Sequence, residues 1–168
     1  LVVGPTTYAF TLMLTSMIGG LGIGAAIGSR LAKRNISVTT FACIEIFVGI
    51  TSLAVVPLFG RLPVWIGQIV TKYVEELRTS QAIEFAIFFG LMLVPTTFLG
   101  MTFPIASRLY TKSNSLLGTE VSAIYAFNTV GGILGSLAAG FFLVPSIGSQ
   151  WALTLAAGLN AATGILIA

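Results

Sequence analysis

Few side chains in this sequence are able to do chemistry. Histidine and aspartate are absent from the 168 residues, and the acidic residues are five glutamates. Glu45 lies about seven residues inside an apolar run, which places it about 10 Å from the start of a helix. A carboxylate within hydrocarbon is costly unless it is paired or protonated. Glu45 is therefore either a proton or cation site or half of a structural hydrogen bond or ion pair, with Arg108 and Lys112 as candidate partners.

Three neutral polar side chains also lie within apolar runs, namely Asn128, Thr129 and Asn160. Polar side chains in such positions hydrogen-bond across neighbouring helices, so we predict that these residues are buried. The single cysteine, Cys43, is expected to be a small buried apolar residue. With neither histidine nor a pair of cysteines, the sequence has no metal-ligand spacing. We therefore expect no cofactor and no catalytic residue within these helices.

The composition is that of an integral membrane protein. Hydrophobic residues make up 56% of the chain, charged residues make up 8%, and the mean hydropathy is +1.02. Soluble domains carry about 25% charged residues, so most classes of soluble enzyme are excluded. We interpret the net charge of +3 as a membrane-orientation signal. The lipid bilayer is thus the first expected partner, and nucleic acid is not expected to be one.

Long apolar runs predict an all-α bundle of transmembrane helices. A helix needs about 20 residues to cross about 30 Å of hydrocarbon. Five runs approach or exceed this length: residues 6–32, 38–59, 81–112, 120–145 and 150–168. We expect a short turn at residues 146–149 between the last two.

A further segment, residues 62–78, is too polar to span a membrane. Its apolar residues recur at helical spacing, and Trp65 and Tyr73 are suited to the membrane interface. We predict an amphipathic helix that lies on the outer surface of the membrane. A helix that docks onto a partner protein is the alternative.

Basic residues predict the orientation of the chain. Arg30, Lys33 and Arg34 follow the first span, and Arg108 and Lys112 end the third. Cytoplasmic loops are enriched in lysine and arginine, so these two ends are predicted to face the cytoplasm. Alternation of the spans then predicts a multi-pass protein of the cell's inner (plasma) membrane with a cytoplasmic C-terminus.

Small residues form stripes at four-residue spacing, which allow close contact between helices. One stripe lies in the first span and two lie in the fourth: Gly20, Gly24, Gly28, Gly131, Gly132, Gly135 and Gly140. We expect the glycines of the fourth span to meet the first stripe or the small residues of the last span. Asn128 and Glu45 lie at similar depths in this arrangement, and we predict a hydrogen bond between them.

Pro95 and Pro104 interrupt the third span. Each proline removes one backbone hydrogen bond, and the hydroxyl groups of nearby threonines can bond the carbonyls that are left free. Two interpretations remain open. One is a simple kink, and the other is a broken helix that lines a cavity, as in transporters.

Several blocks of the sequence resemble one family. The runs T-T-Y-A-F-T-L-M-L, F-A-C-I-E-I-F-V-G-I and G-M-T-F-P-I, and above all residues 125–148, resemble the membrane region of the fused membrane spermidine synthases. The resemblance covers nearly the whole chain apart from residues 60–80. It implies six spans, one of them before residue 6, that form half of a major facilitator-like fold. It also implies a longer protein in which a soluble aminopropyltransferase-like domain follows and carries any catalysis.

Two functions of different classes follow from these observations. The first is a membrane anchor or scaffold that packs against other subunits or a second copy and holds a cytoplasmic domain, or serves as a stand-alone subunit of a larger complex. The second is transport of a polyamine-like solute, with Glu45, Asn128 and the segment from Pro95 to Pro104 lining the path. An enzyme acting within the membrane is disfavoured, because the helices carry no set of catalytic residues.

Overall fold

The computed structural model describes residues 7–73, 76–111 and 117–168, and all regular structure in these ranges is helical. In chain order, the elements are α1 (Thr7–Leu31), α2 (Val38–Lys72), α3 (Leu77–Tyr110), α4 (Leu117–Leu137), a π-helical segment (Ala138–Leu143) and α5 (Val144–Ile167). The predicted all-α class is confirmed for these residues. Predictions that concern residues 1–6, 74–75 and 112–116, Lys112 among them, lie outside the described residues.

Within the described ranges, four helical stretches are long and apolar enough to span a membrane, rather than the predicted five or six. They are Phe10–Leu31, Val38–Lys72, Arg78–Tyr110 and Glu120–Ile167. The last stretch, which has 48 residues, contains the predicted span 120–145 and all of the predicted span 150–168 except its final residue. A straight helix of that length would measure about 72 Å, more than twice the hydrocarbon thickness, so this stretch must bend to remain in a bilayer.

Gly148 provides the bend. Its φ of 80° and ψ of 162° are not helical, and glycine adopts this region without the steric cost that a Cβ would bring. The long stretch therefore consists of two helical parts that meet at Gly148. The break falls within the turn that the sequence predicts at residues 146–149.

α2 continues as one helix from Val38 to Lys72 through two internal prolines. The predicted surface helix, residues 62–78, is therefore not a separate element in the described chain, and we correct that expectation. The cause is packing, because Leu62 and Ile66 are buried against Phe88 of α3. Protein thus covers part of this segment, whereas Val64 and Val70 of its apolar face remain exposed.

α1 and α3 pack with their backbones close together. Gly24 of α1 lies against Gly100 of α3. A Cβ placed on Gly28 would lie 2.8 Å from Cγ of Pro104. Residue numbers rise together along both helices, so α1 and α3 run parallel. The stripe that begins at Gly20 therefore has α3 as its neighbour.

α5 packs against α2 by the same means but runs antiparallel to it. A Cβ placed on Gly164 would lie 2.7 Å from the carbonyl oxygen of Ala42. A Cβ placed on Gly49 would lie 2.6 Å from Cβ of Ala161. The small residues of the last predicted span thus meet α2 and not the predicted span 120–145.

Two apolar clusters join α2 to α3 and so connect the two glycine-packed pairs. The first is centred on Ile44, Val48 and Ile105, and the second contains Phe88. The described helices therefore form a layer in the order α1, α3, α2, α5. α1 and α5 lie at its two edges.

α4 stands apart from this layer. Near its start, the Tyr125 ring meets the Phe103 ring of α3 edge-on, with centroids 6.4 Å apart. Further along, no atom of another described helix lies within 4 Å of a Cβ placed on any of its glycines or on the glycine of the π-helical segment: Gly131, Gly132, Gly135 and Gly140. This corrects the prediction that these glycines meet α1 or the last span within the same chain.

We predict that replacing Gly24 with alanine destabilises the bundle, because the added methyl group would collide with the α3 backbone. Overpacking of this kind costs about 1–3 kcal/mol. Gly22→Ala is the matched control on the same helix, since a Cβ there meets nothing within 4 Å. Thermal unfolding of the purified chain in detergent compares the two variants. Equal melting temperatures would contradict a tight contact between α1 and α3.

Candidate functional site

A cavity of about 220 Å³ lies between α1, α2, α3 and α5. Each of the four helices contributes an apolar side chain to its wall: Met17, Phe59, Leu91 and Leu153. On α3, Met92, Thr96 and Leu99 line it at intervals of four and three residues, as expected for one face of a helix. The cavity is thus built by the packing of the layer and not by a loop.

Three polar side chains line the same cavity: Ser52, Thr96 and Asn160. The Thr96 hydroxyl donates a hydrogen bond to the Met92 carbonyl oxygen at 2.6 Å. Neither the Asn160 carboxamide nor the Ser52 hydroxyl hydrogen-bonds to another described residue. The site can therefore hold a small, largely apolar molecule that presents one hydrogen-bonding group to Asn160.

The two prolines of α3 differ in position. Pro95 lines the cavity, whereas Pro104 lies against Gly28 of α1. α3 remains one helix through both of them, from Leu77 to Tyr110. The described residues therefore agree with a continuous helix and not with a broken one, although Pro95 does face a cavity.

Glu45 lies on the α2 face that leads to the cavity. Val48 and Ser52, three and seven residues further along, both line it, and these spacings place all three residues on one side of the helix. Glu45 itself does not line the cavity and is half-buried. Its carboxylate has no hydrogen bond to another described residue.

The depth of Glu45 follows from its neighbour Ile44. Ile44 packs in one cluster with Ile105 of α3 and with Leu31, the last residue of α1. Glu45 therefore lies close to the end of the bundle at which α1 and α3 terminate. Arg108 is three residues beyond Ile105, so Glu45 and Arg108 share this end.

Asn128 and Thr129 are exposed, contrary to the prediction that they are buried within the chain. The Thr129 hydroxyl donates a hydrogen bond to the Tyr125 carbonyl oxygen of its own helix at 2.8 Å. The predicted hydrogen bond between Asn128 and Glu45 is not formed in the described chain, because α4 leaves the layer instead of packing beside α2. Of the polar residues predicted to be buried, Glu45 and Asn160 are partly buried.

Glu84 is a buried carboxylate that the sequence reasoning did not identify. It is only 5% exposed and accepts a hydrogen bond from the Ser80 hydroxyl at 3.2 Å. The predicted third span begins at residue 81, close to Glu84, whereas α3 begins at Leu77 and so places Glu84 about two turns inside the helix. The four-residue spacing of Ser80, Glu84 and the fully buried Phe88 is the signal that could have revealed it.

Cys43 is exposed, which corrects the expectation that it is buried. Among the described residues, no three His, Cys, Asp or Glu side chains are grouped so that they could hold a metal ion. The described residues do form a cavity that is lined by the unpartnered amide of Asn160. The carboxylate of Glu45 lies between this cavity and the end of the bundle at which α1 and α3 terminate.

We predict that Glu84→Gln leaves stability unchanged or raises it, because the amide keeps an acceptor for Ser80 and removes a charge from a buried site. Glu84→Ala should lower stability by about 1–3 kcal/mol, since the buried hydroxyl loses its acceptor. Glu76→Gln at the exposed start of α3 is the control. Chemical unfolding in detergent measures all three. A glutamine variant as unstable as the alanine variant would show that the charge itself is required.

Comparison with known proteins identifies no relative of this chain. No family model matches it, and neither the curated proteins nor the solved structures contain a match. The resemblance to fused membrane spermidine synthases therefore stays an expectation that rests on the sequence blocks alone.

Proposed function

We propose that this chain is a membrane-embedded helical scaffold in which α4 packs against a transmembrane helix of a neighbouring subunit. The observation that carries this proposal is the empty space beside the glycines of α4. The stretch from residue 121 to residue 145 is uncharged and long enough to cross hydrocarbon. Lipid chains can pack against the exposed leucines and phenylalanines of this stretch. Its glycines offer lipid no side chain to pack against.

The other glycine stripes of the chain support this interpretation. The stripe of α1 brings α1 against α3, and Gly49 and Gly164 bring α2 against α5. Wherever these glycines have a neighbour, that neighbour is another helix, and at Gly24 and Gly164 the nearest atoms are backbone atoms. The two stripes of α4 and the π-helical segment, Gly131–Gly135–Ala139 and Gly132–Ser136–Gly140, have the same spacing and suit the same kind of contact.

Asn128 adds a polar group to the same exposed helix. An amide that faces lipid leaves its hydrogen bonds unmade, whereas an amide between helices can bond across the interface for about 1–2 kcal/mol. A neighbouring helix would therefore pack closely against the glycines and form a hydrogen bond with the Asn128 amide. In a longer protein, the same scaffold would hold the aminopropyltransferase-like domain that the sequence resemblance implies.

A photo-crosslinking amino acid at Ser136, which lies within the second stripe, tests this function in native membranes. We expect an adduct of higher mass with wild-type glycines. Gly131→Leu with Gly135→Leu should reduce it at least about tenfold, because bulky residues prevent close approach. Gly22→Leu with Gly90→Leu is the matched control, since both positions are open. No adduct, or equal loss in the control, would contradict the proposal.

The cavity favours a second candidate function, a passage or binding site for a small solute. It is lined by four helices and contains the unpartnered Asn160 amide, and Glu45 lies on the α2 face that continues from it toward one end of the bundle. A polyamine-like solute is the candidate that the sequence resemblance suggests.

Uptake of labelled spermidine into vesicles tests this second function. We expect Asn160→Leu to reduce the rate about fivefold, the effect of one lost hydrogen bond of about 1 kcal/mol. Gln68→Leu makes the same amide-to-leucine change at an exposed residue of α2, outside the cavity, and should leave the rate unchanged. Equal rates in both variants and in the wild type would exclude a role for the cavity in uptake.

A further inference from the structure

A second cleft lies between α1 and α3 at the end of the bundle where both helices terminate. Its volume is about 700 Å³, and it is open to the outside. Two cationic residues line it, Lys33 just beyond α1 and Arg108 in the last turn of α3. Both are exposed, so their charges are free to meet a ligand.

Ser107 provides the observation that distinguishes this cleft from an ordinary basic surface. Ser107 lines the cleft, and its hydroxyl oxygen is buried and has no hydrogen-bond partner among the described residues. A buried polar atom without a partner costs about 1–3 kcal/mol. Basic residues near the C-termini of helices also offset the exposed carbonyls, but that role needs neither a cleft nor an unpaired hydroxyl.

The charge and chemistry of the cleft select an anion with several acceptor oxygens. Lys33 and Arg108 can each donate to such an oxygen, and the Ser107 hydroxyl can donate a third hydrogen bond once the side chains that cover it move aside. Glu120 adjoins Val121 at the edge of the cleft and already has an interaction within the chain. With the two basic side chains of Lys33 and Arg108 and the single carboxylate of Glu120, the cleft has a net positive charge.

The rest of the wall indicates what the anion is attached to. Ala25, Phe103, Pro104 and Val121 make most of it apolar. The cleft also lies where the apolar stretches Phe10–Leu31 and Arg78–Tyr110 both end, which is the level of lipid head groups if these helices span a bilayer. A free phosphate would leave the apolar wall unused, whereas a phospholipid would cover it with its glycerol and upper acyl carbons.

We propose that this cleft binds the phosphate group of an anionic phospholipid, held by Lys33, Arg108 and the Ser107 hydroxyl. Basic pockets between transmembrane helices bind lipid head groups in this way. The site is separate from the cavity that contains Asn160 and does not depend on the association of α4.

Native mass spectrometry of the full chain in detergent tests the proposal with phosphatidylglycerol as the probe. We expect phosphatidylglycerol to bind more tightly than phosphatidylcholine. Lys33→Gln with Arg108→Gln should weaken its binding about twenty-five-fold, at roughly fivefold for each basic residue. Arg61→Gln with Lys72→Gln is the matched control, because it removes the same charge from residues that do not line the cleft. Equal loss in both pairs, or no loss in the first, would overturn the site.

Ser107→Ala provides an independent arm that does not alter charge. We expect it to weaken phosphatidylglycerol binding about threefold to fivefold, as the loss of one hydrogen bond does. Its melting temperature without lipid should stay the same or rise, because an unpartnered buried hydroxyl is removed. Unchanged binding would overturn the role of Ser107. Inorganic phosphate or glycerol 3-phosphate that displaces the lipid at equal concentration would overturn the assignment to a lipid.

Discussion

Where α1 crosses α3, helix backbone lies directly against helix backbone, and the rest of the structure depends on that contact. Gly24 and Gly100 leave no room for a Cβ at the crossing. In lipid, apolar side chains gain little by leaving hydrocarbon, so association depends on close van der Waals contact and hydrogen bonds. Glycine permits the closest approach. The same solution recurs between α2 and α5, and the two pairs are then joined through the larger side chains between α2 and α3.

The layer produced by these contacts separates two chemical environments. Toward its middle, four helices line a small, partly open cavity with the Asn160 amide in an apolar wall. At the end where α1 and α3 terminate, Lys33 and Arg108 line an open cleft, and Glu45 lies at a similar level on α2. The basic side chains Lys33 and Arg108 thus lie where water or head groups can reach them, and the three polar side chains that line the cavity are neutral. That distribution agrees with the cost of placing charge in hydrocarbon.

α4 is the helix whose packing is incomplete within the described chain. Its helix has the length, the lack of charge and the small residues of an interior helix, yet its glycines face no other described helix. The π-helical segment and Gly148 then connect it to α5. The exposed glycines of α4 are the observation behind the proposed scaffold function, and the layer itself offers no comparable observation in favour of transport.

The sequence by itself determined the helical class, the membrane-spanning composition, the break near residue 148 and the positions of the glycine stripes. These depend on local properties, namely apolar length, glycine spacing and turn residues. Only the tertiary structure decided that the α1 stripe meets α3, that α2 continues through residues 62–72, that Glu84 is buried and that Asn128 is not paired with Glu45. The physical reason is that several glycine stripes are locally equivalent. Which two stripes meet depends on the total free energy of the contacts along whole helices. A local sequence pattern does not determine that total.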